Sequence, residues 1–99
     1  MGMSIAYHSD EGRLDIIIAE NLDLTQTRQI LLAQTYIDDQ LQTCVIDCTR
    51  VERVFDSGKA LMMMLFERLT QFRVRLVMIG DFTQLPYHHQ LPATSAGSV

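Results

Sequence analysis

Two short apolar-rich runs open the chain, "MSIAYH" at 3–8 and "RLDIIIAE" at 13–20, with "SDEG" between them. Both runs are β-like, and Ser, Asp and Gly favour a tight reversal, so the pattern predicts an antiparallel hairpin. After "NLDL" the period changes. Asp23 stands as a helix N-cap with Gln26 three places on, and Ile30, Ala33 and Ile37 fall on one face of a helix ending near Asp39 or Gln40. "LQTCVIDC" is apolar on both alternating faces, the mark of a central parallel strand covered by helices on both sides. Next come "TRVERVFDSG", a helix from about Ser57 to Phe72 and the strand "VRLVMIG", which together predict a βαβ crossover. From Asp81 the pattern fades. "TQLPYHHQL" has room for one short turn of helix with Pro86 in its first turn. "PATSAGSV" is small and polar with no face to dock, and reads as a loose tail. The expected fold is α/β, a mixed sheet of four strands with helices packed on it, forming one domain over 1–90 with a flexible tail at 91–99.

The second helix carries three methionines in a row, which separate by angle at about 100° per residue. Leu61, Met62, Leu65, Phe66, Leu69 and Phe72 make one broad apolar stripe that belongs in the core. Met63 points nearly away from it, with Ala60, Met64 and Glu67 around it. Exposed, adaptable methionine beside a helix start suits a partner's docking surface. The plain alternative is one solvent-exposed Met and one at the rim of the core.

Composition narrows the functional classes. The 99 residues are 47% hydrophobic and 20% charged, which suits a single soluble globular domain. A net charge of −4 with scattered Arg and Lys gives no nucleic-acid footprint. No apolar run reaches the roughly 20 residues of a membrane helix. "MGMSIA" has neither the form of a secretory signal nor, with Ala6 in the Ser/Thr place, that of a myristoylation site. A cytoplasmic protein with no direct membrane insertion is expected. Cys44 and Cys48 share one strand, where four residues separate α-carbons by about 13 Å, too far for a disulfide, and no further ligands stand at metal-site spacing. They read as small buried residues. His8, His88 and His89 are too dispersed for a metal or catalytic constellation, and Asp38 and Asp39 read as a solvated helix end. No cofactor, metal or enzyme activity is expected.

"VIDCTRVERVFDSGKALMMMLFERL" and "RVRLVMIGD" resemble the STAS domain family (sulfate transporter and anti-sigma-factor antagonist). The family pattern is a strand ending V-L-D-L-S, then G-V-x-F-I-D-S-S-G-L, a leucine-rich helix and a strand like R-L-V-L-V-G. Upstream, "LDIIIAENLDLTQT" is similar to V-x-L-x-G-E-L-D-L-x-T-A, so the likeness covers about residues 12 to 81. The gapless alignment puts Asp47 on the strand-end aspartate, Gly58 on the glycine, and Asp56 where partner kinases phosphorylate serine. Aligning "DS" with "DS" through a one-residue deletion instead makes Ser57 the phosphoacceptor. The family usually continues with a helix, a strand and a final helix, most of which is missing, so a C-terminal truncation is expected.

The resemblance implies a regulatory binding surface at the strand-to-helix junction: Asp23, Thr25, Asp56, Ser57, Gly58, Ala60, Met63, Met64 and Glu67, with Ser57 as the phosphorylation site. At that junction Asp56 or Ser57 is the expected N-cap. The implied partners are an anti-sigma factor or switch kinase and a Ser phosphatase. Two other functions fit the same chain. One is the small cytoplasmic STAS subunit of a phospholipid-transport ABC system. The other is a subunit of a larger sensory complex, joined, as a homodimer would be, through the sheet edge left by the missing last strand.

Overall fold

The computed structural model describes residues 2–81 and the backbone of 93–95. The helical turn expected in "TQLPYHHQL" and most of the expected tail lie outside the described residues. The order of elements is β1 (Met3–His8), β2 (Arg13–Leu22), a 3-10 turn (Leu24–Gln26), α1 (Thr27–Thr35), β3 (Thr43–Val54), α2 (Asp56–Gln71), β4 (Arg75–Ile79) and β5 (Ala93–Ser95). They build one mixed sheet in the order β1-β2-β3-β4-β5, with β1 antiparallel to β2 and the other neighbours parallel. The four expected strands form as expected, with β3 central, and a short fifth joins them.

The β1–β2 reversal uses Gly12 at φ +59°, a left-handed conformation that a residue with a Cβ adopts at a cost. Between β2 and α1, Asp23 and Gln26 form the expected capping box, the Asp23 N–H donating to Gln26 Oε1 at 2.6 Å. The helix it starts ends at Thr35, earlier than expected. Asp38 turns the chain there, its Oδ1 accepting from the Gln40 N–H at 2.9 Å, while Ile37 and Leu41 remain in the core.

Alternation along the strands divides the sheet into two unlike faces. Leu14, Ile16 and Ile18 of β2, Cys44, Ile46 and Cys48 of β3, and Leu76 and Met78 of β4 form one buried cluster with Ile30, Ala33 and Ile37 and with the α2 stripe. Both helices therefore cover the same face, and Arg68 Nε of α2 donates to the Gln34 carbonyl of α1 at 3.0 Å. This corrects the expectation that β3 is covered on both sides: among the described residues no helix lies over Arg13, Asp15, Ile17, Val45, Asp47, Val77 and Ile79. The apolar residues on the odd positions of β3 and β4 suggested burial, but their exposure is decided by where the helices pack.

A second correction concerns the chain end. Residues 93–95, inside the expected tail, pair in parallel with Leu76–Met78. Strand pairing uses backbone N–H and C=O groups, so a segment of small residues with no apolar pattern can still close the open edge of β4. The edge expected to serve assembly is thus already occupied. Deleting residues 91–99 is expected to lower the melting temperature by about 5 °C, read by circular dichroism, because β4 regains a bare edge. An unchanged melting temperature would mean that β5 adds nothing to stability.

Candidate functional site

The expected surface is assembled where the ends of β2 and β3 meet the start of α2. β3 is longer than expected because "TRVERV" continues the strand, with two register shifts opposite β2 before Leu22 reaches Val54. The Phe55 N–H then donates to the Leu22 carbonyl at 2.9 Å, which holds Phe55 extended and starts the helix at Asp56. Phe55 is therefore the N-cap residue, with no side-chain cap bond. This corrects the expectation that Asp56 or Ser57 caps α2: both lie inside the first turn, because the strand bond fixes where helical geometry begins.

Gly58 explains how the two chain segments come so close. A Cβ at this position would lie 2.2 Å from the Leu22 carbonyl oxygen and 2.5 Å from its carbon. The first turn of α2 thus rests directly on the end of β2, and the Asp23 turn follows one residue later. Asp23 Oδ1 accepts from the Thr25 N–H at 2.9 Å and from the Thr25 hydroxyl at 2.5 Å. These bonds hold the Asp23 carboxyl below the usual carboxylate range. Thr25 is exposed, with its hydroxyl also accepting from Gln26 Nε2 at 2.9 Å.

Along α2 the angular sorting holds. Met62 is buried, whereas Met63 is 49% and Met64 44% exposed, with Ala60 and Glu67 exposed beside them. Asp56 projects fully into solvent, 3.9 Å from Lys59 Nζ, and Ser57 is half-buried. A carboxylate in the first turn interacts favourably with the helix dipole, and the first N–H groups of the helix have no partner within it.

Sequence reasoning missed several apolar residues. Leu24, Leu31 and Leu32 are about half or more exposed, and Phe55 is 40% exposed with the Arg53 guanidinium 5.4 Å from its ring centre. The signal for Leu31 and Leu32 was present, since both fall off the face of Ile30, Ala33 and Ile37; the angular count made for α2 applies equally to α1.

Cys44 and Cys48 are free and buried. Burial, with Asp15 and Asp47 respectively adding to it, raises both thiols, Cys48 to about 12. Thiols held so far above neutral pH have almost no nucleophilic thiolate. Among the described residues no group of three or more His, Cys, Asp and Glu side chains is arranged to hold a metal, and no helix is long and apolar enough to cross a membrane.

No sequence-family profile matches the chain, and no curated protein is significantly similar to it in sequence. Solved structures do match. The anti-sigma factor antagonist SpoIIAA in its unphosphorylated form is similar with a TM-score of 0.66 at 17% identity, over 81% of this chain and 74% of that one. A protein of the DUF3478 family with a SpoIIAA-like fold, from Shewanella loihica, is similar with a TM-score of 0.60 at 19% identity, over 81% of this chain and 67% of that one. Mglu gives 0.63 at 21% identity over 83% of this chain, but that match takes in just 20% of Mglu. With β3 central, α1 and α2 on one face and a glycine-tight junction at Leu22 and Gly58, this chain has the SpoIIAA-like, STAS-like fold.

Proposed function

We propose that the protein is a cytoplasmic binding module, and not an enzyme, that acts through phosphorylation-dependent contact with a protein partner at the start of α2. What supports this reading is the seating of Gly58 on Leu22, which sets the Asp23–Thr25 turn beside the first turn of α2 with Asp56 and Ser57, while Met63 and Met64 are exposed further along the same helix. Likeness in fold to an anti-sigma factor antagonist supports the class of partner: an anti-sigma factor or switch kinase, with a Ser phosphatase to reset the site.

Ser57 is the proposed acceptor. Unpaired N–H groups of the first turn accommodate a phosphate, which carries about −1.5 to −2 charges, while Asp56 beside it supplies only one. Dianionic charge next to the Ala60, Met63 and Met64 patch repels a partner that buries apolar surface there. Asp56 also gives the unmodified protein one negative charge there permanently, to which phosphorylation of Ser57 adds its own.

The test is capture of partners from the native host with mass spectrometry of Ser57, followed by binding of the recovered partner to variants. Ser57→Ala is expected to keep binding under phosphorylating conditions, and Ser57→Glu to weaken it about tenfold, with the folded circular dichroism spectrum unchanged in both. Absence of phosphate on Ser57 in cells, together with parent-like binding by both variants, would reduce the site to a helix start.

A further inference from the structure

β1 is the last strand on its side of the sheet, and among the described residues nothing pairs with its outer edge. Bare edges are ordinarily kept short, or are guarded by lysine, proline or a bulge. β5, at the other end of the sheet, is short at three residues. β1 has no such guard: "MSIAYH" contains neither lysine nor proline, and its pairing with β2 runs from Met3 to His8 without a shift of register.

That register fixes which groups the edge offers. The Ala19 N–H donates to the Gly2 carbonyl at 2.7 Å, so Gly2, Ser4, Ala6 and His8 direct their backbone groups towards β2. In an antiparallel pair the residues between them point the other way. Met3, Ile5 and Tyr7 therefore present N–H and C=O outward, spaced evenly about Ile5. A two-fold axis normal to the sheet beside Ile5 sets Ile5 against Ile5 of a second copy and Met3 against its Tyr7, each pair exchanging both bonds. Every outward group is then satisfied. Ser4 stands against Ala6 of the second copy and His8 against its Gly2, so no two like charges meet.

Apolar side chains follow the same edge. Ile5 and Tyr7 are partly buried against the core, and the Tyr36 ring of α1 stacks on Tyr7 with 4.6 Å between ring centres. Leu32, 47% exposed, lies four places before Tyr36 and so on the same side of α1. An extended peptide would satisfy the backbone of β1 but leave this rim open. A second copy related by that axis brings its own helix layer on the same side of the sheet, so the two rims meet. Isologous pairing of this kind is the commonest closed symmetry.

We infer that β1 pairs with β1 of a second copy, antiparallel and centred on Ile5, which joins the two sheets into one. The inference does not rest on the proposed phosphorylation, and Met63, on α2, serves as its control.

Sedimentation equilibrium of the full chain, from low micromolar to submillimolar concentration, is the first test, and the parent is expected to dimerise. Ile5→Pro removes an outward N–H from each copy while leaving the bonds to β2 in place, a change that an edge strand tolerates. It is expected to raise the dimer dissociation constant at least about tenfold with a folded circular dichroism spectrum, and Met63→Asp to leave that constant unchanged. A cysteine pair reads the register directly, and decides the matter if the proline variant folds poorly. Ser4 and Ala6 of the two copies form a pair without hydrogen bonds, with α-carbons about 4.5 Å apart, within reach of a disulfide. Mixed Ser4→Cys and Ala6→Cys chains are therefore expected to cross-link under mild oxidation, and either chain alone to do so far less. A parent that stays monomeric throughout overturns the inference. So does a dimer that a folded Ile5→Pro leaves intact or Met63→Asp abolishes, or cross-linking no greater in the mixture than in the separate chains.

Discussion

Replacing Gly58 by alanine is expected to destabilise the protein by about 3 kcal/mol in urea unfolding. Helix propensity alone argues for the opposite sign, since alanine is favoured over glycine inside a helix by about 1 kcal/mol. Packing decides the outcome. The added methyl group would meet the Leu22 carbonyl carbon and oxygen at 2.5 and 2.2 Å, and these are backbone atoms that cannot rotate away. Relief requires α2 to lift from the end of β2 or β2 to bend, which strains the bond from the Phe55 N–H to the Leu22 carbonyl. A loss of about 3 kcal/mol is a large share of the roughly 5–15 kcal/mol that stabilises a domain of this kind. Because the Asp23 turn and the start of α2 separate in the same movement, partner binding should fall with stability. An alanine variant as stable as the parent would show that the close approach is not a constraint.

Ile46→Asp is expected to abolish cooperative unfolding, whereas Val45→Asp, one residue away, should keep a folded spectrum and a cooperative thermal transition. Ile46 is fully buried between the sheet and the helices. An unpaired carboxylate there costs several kcal/mol, and protonating it to avoid the charge still leaves a buried polar group without a partner. Val45 lies on the opposite face, partly open to solvent, where a carboxylate can stay hydrated. The contrast is read by thermal melts at low micromolar concentration, so that any self-association contributes little. If both variants unfold, the second face is buried in the monomer. If Ile46→Asp folds, the assigned register of β3 is wrong.

Acid has a smaller, directed effect. Asp47 Oδ1 accepts from the Thr49 N–H at 2.9 Å and from the Thr49 hydroxyl at 2.7 Å, and these bonds lower its carboxyl from the ordinary value. A lowered folded-state value means that the stabilisation is present above the ordinary carboxylate range and is lost as pH falls through the lower folded value. Asp23 behaves in the same way for the same reason.

The amino-acid sequence by itself determined the hairpin, the capping box at Asp23 and Gln26, and the division of α2 into Met62 inside and Met63 outside. Each is set by near neighbours: a turn by its glycine, a cap by a side chain three residues from its partner, a helix face by a fixed angle per residue. The tertiary structure alone decided the rest. Which face of β3 lies under helices depends on how two crossovers pack, so Val45 and Ile46 look alike in sequence and differ in exposure. Phe55 became the cap of α2 because a carbonyl 33 positions earlier, on Leu22, holds its N–H. Residues 93–95 became a strand because β4 offered an open edge, and backbone hydrogen bonding asks for no apolar pattern that a sequence would display.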